Sequence, residues 1–140
     1  MTEQYQITFV AKPEEEWGII GGGLQSYNIA QAGDNNYEVL CFVLRDAEEE
    51  IVGGMVGATY WDWLYVDLLW VKEELRDLGY GRKLLEEAEV VGRERGAQQA
   101  YLDTFSFQAP GFYEKCGYEV FGELSDFPPG SQRFFMRKTL

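Results

Sequence analysis

The chain has 140 residues, 46% of them hydrophobic and 16% aromatic, which is enough for one domain spanning residues 1–140 with a core of its own. Twenty-four acidic against twelve basic side chains give a net charge of −12, which argues against nucleic acid or an anionic membrane as the main partner. Two cysteines and no histidine exclude a disulfide framework and a zinc cluster; no metal is expected, and Cys41 and Cys116 read as reduced, buried thiols of a cytoplasmic protein.

The opening "MTEQYQITFVAKPEEEW" has no basic segment followed by an apolar run, and nothing later reaches the length of a membrane span, as in a soluble intracellular protein. "YQITFV" (5–10) has the composition of a strand. Pro13 followed by Glu14, Glu15 and Glu16 suits the first turn of a helix, where a missing N–H costs least and acids complement the dipole. The "GGG" at 21–23 is expected to break that helix, and "LQSYNIAQAG" (24–33) reads as a second, short one closed by Gly33. "YEVLCFVLRD" (37–46), "IVGGMVGATYW" (51–61) and "WLYVDLLWV" (63–71) form an antiparallel meander, in which Gly53, Gly54 and Gly57 predict a bulge or close packing.

From Gly79 onward, Leu84, Leu85, Ala88 and Val91 recur at helical spacing, with Arg82, Lys83, Glu86, Glu89 and Arg93 largely on the other side. Glu89 and Arg93 are placed as an i,i+4 pair, and Gly96 as the stop. "QAYLDTF" (99–105) reads as a strand, "APGFYEKCG" (109–117) as a short helix, and "YEVFGEL" (118–124) and "RFFMRKTL" (133–140) as closing strands. The order β, α, α, β, β, β, α, β, α, β, β describes a mixed α/β fold, α+β-like, with helices on the faces of one central sheet.

Charge is unevenly spread. Residues 1–75 carry three basic and fourteen acidic side chains, a net of −11, whereas residues 76–140 carry nine basic and ten acidic, a net of −1. The first part repels anions and the second can host one. Within the second lies "RDLGYGRKLL" (76–85), where glycines open a helix despite their cost there. A helix start already exposes unpaired N–H groups and a partial positive charge, and removing side chains lets a phosphate reach them. No GxxxxGK[ST] occurs, so this is not a Walker A loop, and Leu84 stands where a dinucleotide fingerprint needs glycine or alanine.

The strand "LLWV" followed by "RDLGYGRKLLEEA" resembles the acyl-CoA-binding segment of the GNAT superfamily of N-acetyltransferases, with its Arg/Gln-x-x-Gly-x-Gly/Ala pattern. "APGFYEKCGYEVFGEL" resembles that superfamily's later segment, and the likeness is close from about Trp61 to Leu124. It implies a central mixed sheet of about six or seven strands flanked by about four helices, with a splayed strand pair holding acetyl-CoA as co-substrate. The backbone of Leu78, Gly79, Tyr80, Gly81, Arg82 and Lys83 would hold the pyrophosphate, and Arg76, Arg82 and Lys83 would add charge. Leu69, Trp70 and Val71 would pair with the pantetheine amides. Tyr113 matches the tyrosine that serves the leaving thiolate, while Ser106 replaces a frequent asparagine.

Acyl transfer needs a neutral amine, yet an alkyl ammonium titrates near pH 10, so a proton must leave. With no histidine, carboxylates and tyrosines are the candidates. Asp67 lies two residues from Tyr65 on one strand and shares its face, which makes Asp67 the first candidate base; Asp103 is the second. The acidic first part favours a cationic acceptor: a small amine, or a peptide lysine or N-terminus. Tyr27, Trp61, Trp63 and the Phe127 loop are candidates for an aromatic wall around it. A noncatalytic CoA-binding or regulatory domain of the same fold is the alternative, and a homodimer is compatible with either.

Overall fold

The computed structural model describes residues 4–140, and the chain divides into two units, Met1–Asn35 and Asn36–Leu140. In the first, a single helix α1 (Glu15–Ala32) runs through Gly21, Gly22 and Gly23, so the two helices read from the sequence are one. Each glycine costs about 1 kcal/mol relative to alanine, but glycine does not forbid helical dihedrals, and no proline interrupts the ladder. The stop comes at Gly33, whose φ of +82° turns the chain while its N–H bonds the Ile29 carbonyl at 2.8 Å. Residues 5–10 belong to no ladder and form no strand: β-composition without a partner leaves the backbone groups unpaired.

The second unit contains β1 (Glu38–Arg45), β2 (Ile51–Tyr60), β3 (Trp63–Val71), a 3-10 turn (Glu73–Leu75), α2 (Tyr80–Glu94), β4 (Gln99–Phe105), α3 (Pro110–Lys115), β5 (Glu119–Ser125) and β6 (Gln132–Thr139). The sheet order is β1-β2-β3-β4-β6-β5. The hairpin pairs β1-β2, β2-β3 and β5-β6 are antiparallel, as is β4 with β6, whereas β3 reaches β4 through the α2 crossover and lies parallel to it. The described residues thus hold six strands and three α-helices, and the mixed α/β class stands.

Leu84, Leu85 and Ala88 of α2 pack on Met55, Leu64 and Val66 of the sheet, the stripe that the helical spacing predicts. Glu89 departs from it. Instead of pairing with Arg93 on the solvent side it is 3% exposed, accepting hydrogen bonds from Lys138 Nζ at 2.8 Å and the Tyr118 hydroxyl at 2.9 Å. Position 89 follows Leu85 by four residues and therefore falls on the buried face, where only a partner from β6 makes a carboxylate tolerable. The cysteines also differ from expectation: strand alternation points Leu40 inward and leaves Cys41 exposed, and Cys116 is half-buried.

The meander carries the irregularity that its glycines foretell. Val56 pairs with Leu68 and Gly57 with Val66, so Asp67 is an extra residue on β3. Before this bulge Leu64 and Val66 face the core; after it Leu69 and Val71 do. A Cβ on Gly57 would collide with the Tyr65 carbonyl oxygen, and one on Gly54 would come within 2.8 Å of the Phe42 carbonyl oxygen, so side chains are excluded there by backbone approach.

Burial holds the phenols of Tyr118 and Tyr113 above their ordinary value, with the Glu89 charge adding at Tyr118 and those of Cys116 and Asp103 at Tyr113, which is pushed up to about 12. A raised phenol contributes stability in full below the unfolded value near 10 and loses it as pH rises through the folded value. Stability is therefore expected to hold up to about pH 10 and to fall between about pH 10 and 12, with Tyr113 alone accounting for roughly 2–3 kcal/mol. Urea unfolding of wild type and Tyr113→Phe across this range checks it; a loss of equal size in both proteins contradicts the assignment to Tyr113.

Candidate active site

Helix α2 starts on Gly79, whose φ of +89° is left-handed and around which a Cβ would meet nothing within 4 Å. The Lys83 N–H is the first to bond back, to the Gly79 carbonyl at 3.1 Å. The N–H groups of Tyr80, Gly81 and Arg82 therefore face outward from the helix start, and no side chain caps them. Three donors and the positive end of a 15-residue helix converge at an exposed glycine turn.

Beside the turn opens a cavity of about 400 Å³, lined by Gly79, Gly81 and Arg82 on one side and by Leu69, Val71, Phe112 and Tyr113 on the other. It shares Leu69, Val71, Arg76, Ala109 and Tyr113 with a second of about 630 Å³, whose walls add Asp67, Trp70, Asp103, Thr104 and Phe107. This second cavity exists because β3 and β4 pair only from Trp63/Gln99 to Tyr65/Tyr101 and then part. Beyond Tyr65 the β3 backbone has no partner on β4. A route thus runs from the glycine turn past Tyr113 into the gap in the sheet.

The residues proposed from sequence distribute along that route unevenly. Arg76 lines both cavities, but its Nε donates to the Val71 carbonyl at 3.0 Å and so braces the end of β3. The Arg82 guanidinium pairs with Glu86 at 3.0 Å, and the Lys83 ammonium lies 5.9 Å from the Tyr80 ring centroid. Leu78, Tyr80 and Lys83 belong to neither lining, although the Tyr80 N–H is one of the free donors. Tyr113 stands at the junction, edge-on to Phe112 (5.2 Å) and Tyr118 (6.1 Å). The Ser106 hydroxyl accepts the Gln132 N–H at 3.0 Å, a bond that ties the end of β4 to β6.

The two carboxylates differ. Asp67, the bulge residue, is exposed and accepts only a long hydrogen bond from the Tyr65 hydroxyl, 3.4 Å, so the pair does meet on one face. Asp103 Oδ1 accepts two bonds from Arg133, from Nε at 3.1 Å and Nη2 at 2.8 Å. Among the named aromatics, Trp63 lies edge-on to Tyr101 at 5.8 Å, and Phe127 stacks on Phe105 at 5.7 Å. Tyr65 stacks on Tyr101 at 4.8 Å, and the Tyr101 and Tyr60 hydroxyls hydrogen-bond each other.

Sequence reasoning did not find Arg133, Phe107 or Gln108. Gln108 Oε1 accepts from the Thr104 hydroxyl at 3.0 Å and the Phe105 N–H at 2.8 Å, shaping the turn from β4 to α3. Arg133 meets Asp103 only through the register of β4 and β6, in which Asp103 faces Phe135. Nothing in the local pattern announces either.

A crossover helix with a bare glycine start, opening on a parallel strand pair that parts, is the arrangement that the sequence resemblance to the GNAT superfamily implies. The chain belongs to the acetyltransferase (GNAT) family, whose profile matches residues 3–118, and the protein is an acetyltransferase. The blasticidin-S acetyltransferase of Streptomyces morookaense is 42% identical over 92 residues, 65% of this chain and 68% of that protein. An acetyltransferase of Agrobacterium fabrum is 36% identical over 115 residues, 82% of this chain and 84% of its own. The crystal structure of an acetyltransferase from Bacillus cereus superposes with a TM-score of 0.87 at 35% identity, covering 96% of this chain and 98% of that one. No helix among the described residues is long and apolar enough to cross a membrane.

Proposed function

We propose that the protein, as one acetyltransferase domain containing both units, transfers the acetyl group of acetyl-CoA to a primary amine carried by a small cationic molecule or a peptide. The continuous route from the free N–H groups of Tyr80, Gly81 and Arg82 past Tyr113 to the carboxylates carries this reading. The family profile covers parts of both units, and the name of the Streptomyces morookaense relative favours a small-molecule acceptor.

The residues present fit acetyl-CoA. The helix-start donors suit its diphosphate, and the exposed edge of β3 beyond Tyr65 offers ladder bonds to its pantetheine amides. The Val71 carbonyl is shared with Arg76 in this arrangement. Acetyl-CoA supplies the activated thioester. In the exchange a C–N bond forms, the C–S bond breaks, and the nitrogen of the incoming ammonium gives up two protons, one to sulfur and one to water.

Tyr113 serves the departing sulfur. Burial pushes its phenol up to about 12, so it carries its proton throughout the neutral range. Complete transfer to a thiolate, whose conjugate acid titrates near 8.5, would run uphill by roughly 5 kcal/mol. Tyr113 therefore donates a hydrogen bond to the sulfur, and the proton that ends on it comes from the amine. The test is release of free CoA from acetyl-CoA across a panel of primary amines, together with calorimetric titration of acetyl-CoA. Tyr113→Phe is expected to lower kcat about 10- to 100-fold with acetyl-CoA affinity within about twofold. Affinity for acetyl-CoA without amine-dependent CoA release would overturn the primary amine as acceptor.

A further inference from the structure

We propose that Asp103, positioned by Arg133, is the carboxylate that receives the acceptor's ammonium in the gap between β3 and β4, and that Asp67 does not share this role. The inference rests on the acetyl transfer proposed above and specifies how its acceptor is held.

Asp103 lies two residues beyond Tyr101, the last residue of β4 paired with β3, and so at the point where the strands part. It lines the larger cavity together with Tyr113. Both Arg133 donors go to Oδ1, and Oδ2 has no protein hydrogen-bond partner among the described residues. A cation arriving in the cavity therefore finds a carboxylate oriented on one oxygen and open on the other.

Arg133 is itself held. Its guanidinium carbon lies 5.7 Å from the Phe105 ring centroid, 5.1 Å from that of Phe127 and 5.3 Å from that of Phe135. Phe105 in turn stacks on Phe107, another wall of the cavity, with centroids 5.3 Å apart. Three rings fix a side chain that would otherwise sample many rotamers, and the fork fixes the carboxylate. Asp67 lacks such support: it is exposed, sits on a bulge and has one long hydrogen bond. The charge of Asp103 also reaches Tyr65, Tyr101 and Tyr113, contributing to the upward displacement of all three phenols.

Its work is binding. An ordinary carboxyl titrates near 4 and an alkyl ammonium near 10, so a carboxylate cannot retain the amine's proton; it lowers the energy of the bound cation while the proton passes to water. Asp103 should then govern KM for the amine, with Arg133 as a positioning residue.

The experiment measures CoA release with a panel of alkyl and arylalkyl primary amines, then takes the best amine through variants whose acetyl-CoA affinity is measured in parallel. Asp103→Asn is expected to raise the amine KM about tenfold or more with the acetyl-CoA Kd within about twofold, and Asp67→Asn to raise the amine KM several-fold less than Asp103→Asn does. Arg133→Gln should raise the amine KM by several-fold, and Arg133→Lys should recover part of it. If Asp103→Asn fails to fold, Asp103→Glu, which keeps the charge and shifts it by one methylene, should still raise the amine KM. Wild-type protein that turns over no amine overturns the transfer to an amine on which the assignment rests. Turnover in wild type with Asp103→Asn unaffected, or with the larger KM rise in Asp67→Asn, overturns the assignment to Asp103 alone.

Discussion

Gly81→Glu should bind acetyl-CoA at least about 100-fold more weakly than wild type while melting within a few degrees of it. A Cβ at position 81 would lie 3.3 Å from Phe112 Cζ and 3.6 Å from its Cε1, the far end of a ring that can give way. An acid in the first turn of α2 complements the helix dipole by about 0.3–1 kcal/mol, so the fold has little to lose. The coenzyme has much to lose. The new carboxylate stands at the helix start against a diphosphate, where one like-charge contact at about 4 Å costs about 4 kcal/mol near a protein surface.

Gly79→Ala separates conformation from charge. Nothing within 4 Å opposes its Cβ, but φ is +89°, so the cost is left-handed strain of about 1–2 kcal/mol. That variant should melt earlier with acetyl-CoA affinity far less changed than in Gly81→Glu. Calorimetric titration beside thermal melts reads both quantities, and undiminished affinity in folded Gly81→Glu would remove the helix start from the binding site.

Lys138→Met should destabilise the fold by about 3–5 kcal/mol, the usual cost of stranding a buried charge. Glu89 is 3% exposed and has two partners, the Lys138 ammonium and the Tyr118 hydroxyl. Without the ammonium, one hydroxyl must compensate a carboxylate inside the core. Glu89→Gln combined with Lys138→Met should recover most of the loss, since an amide needs hydrogen bonds but no counter-charge. Urea unfolding gives both numbers, and a loss under about 1 kcal/mol in Lys138→Met would show that solvent reaches Glu89. The network also matters to the site: it joins α2, which begins at the glycine turn, to β6, and Tyr118 packs edge-on to Tyr113 at 6.1 Å.

The first unit shows where local pattern misleads. "YQITFV" has strand composition but no ladder, and three consecutive glycines do not end a helix whose dihedrals they can adopt. At Glu89 charge points to the solvent side while helical position points to the buried one, and position prevails. Its position four residues after Leu85 put it on the buried face, and a lysine 49 residues away made that position tenable.

What the sequence determined by itself was the meander, the amphipathic helix after it, and the glycine start with its free amides. These depend on side-chain period, on backbone freedom and on the N–H groups every helix leaves unpaired, all of which are local. What only the tertiary structure decided was the gap between β3 and β4, the choice of Asp67 as the extra residue of the bulge, and the meeting of Asp103 with Arg133. Those depend on strand register, and register is set by which distant segments bury their apolar faces together, information that no short stretch of this chain contains.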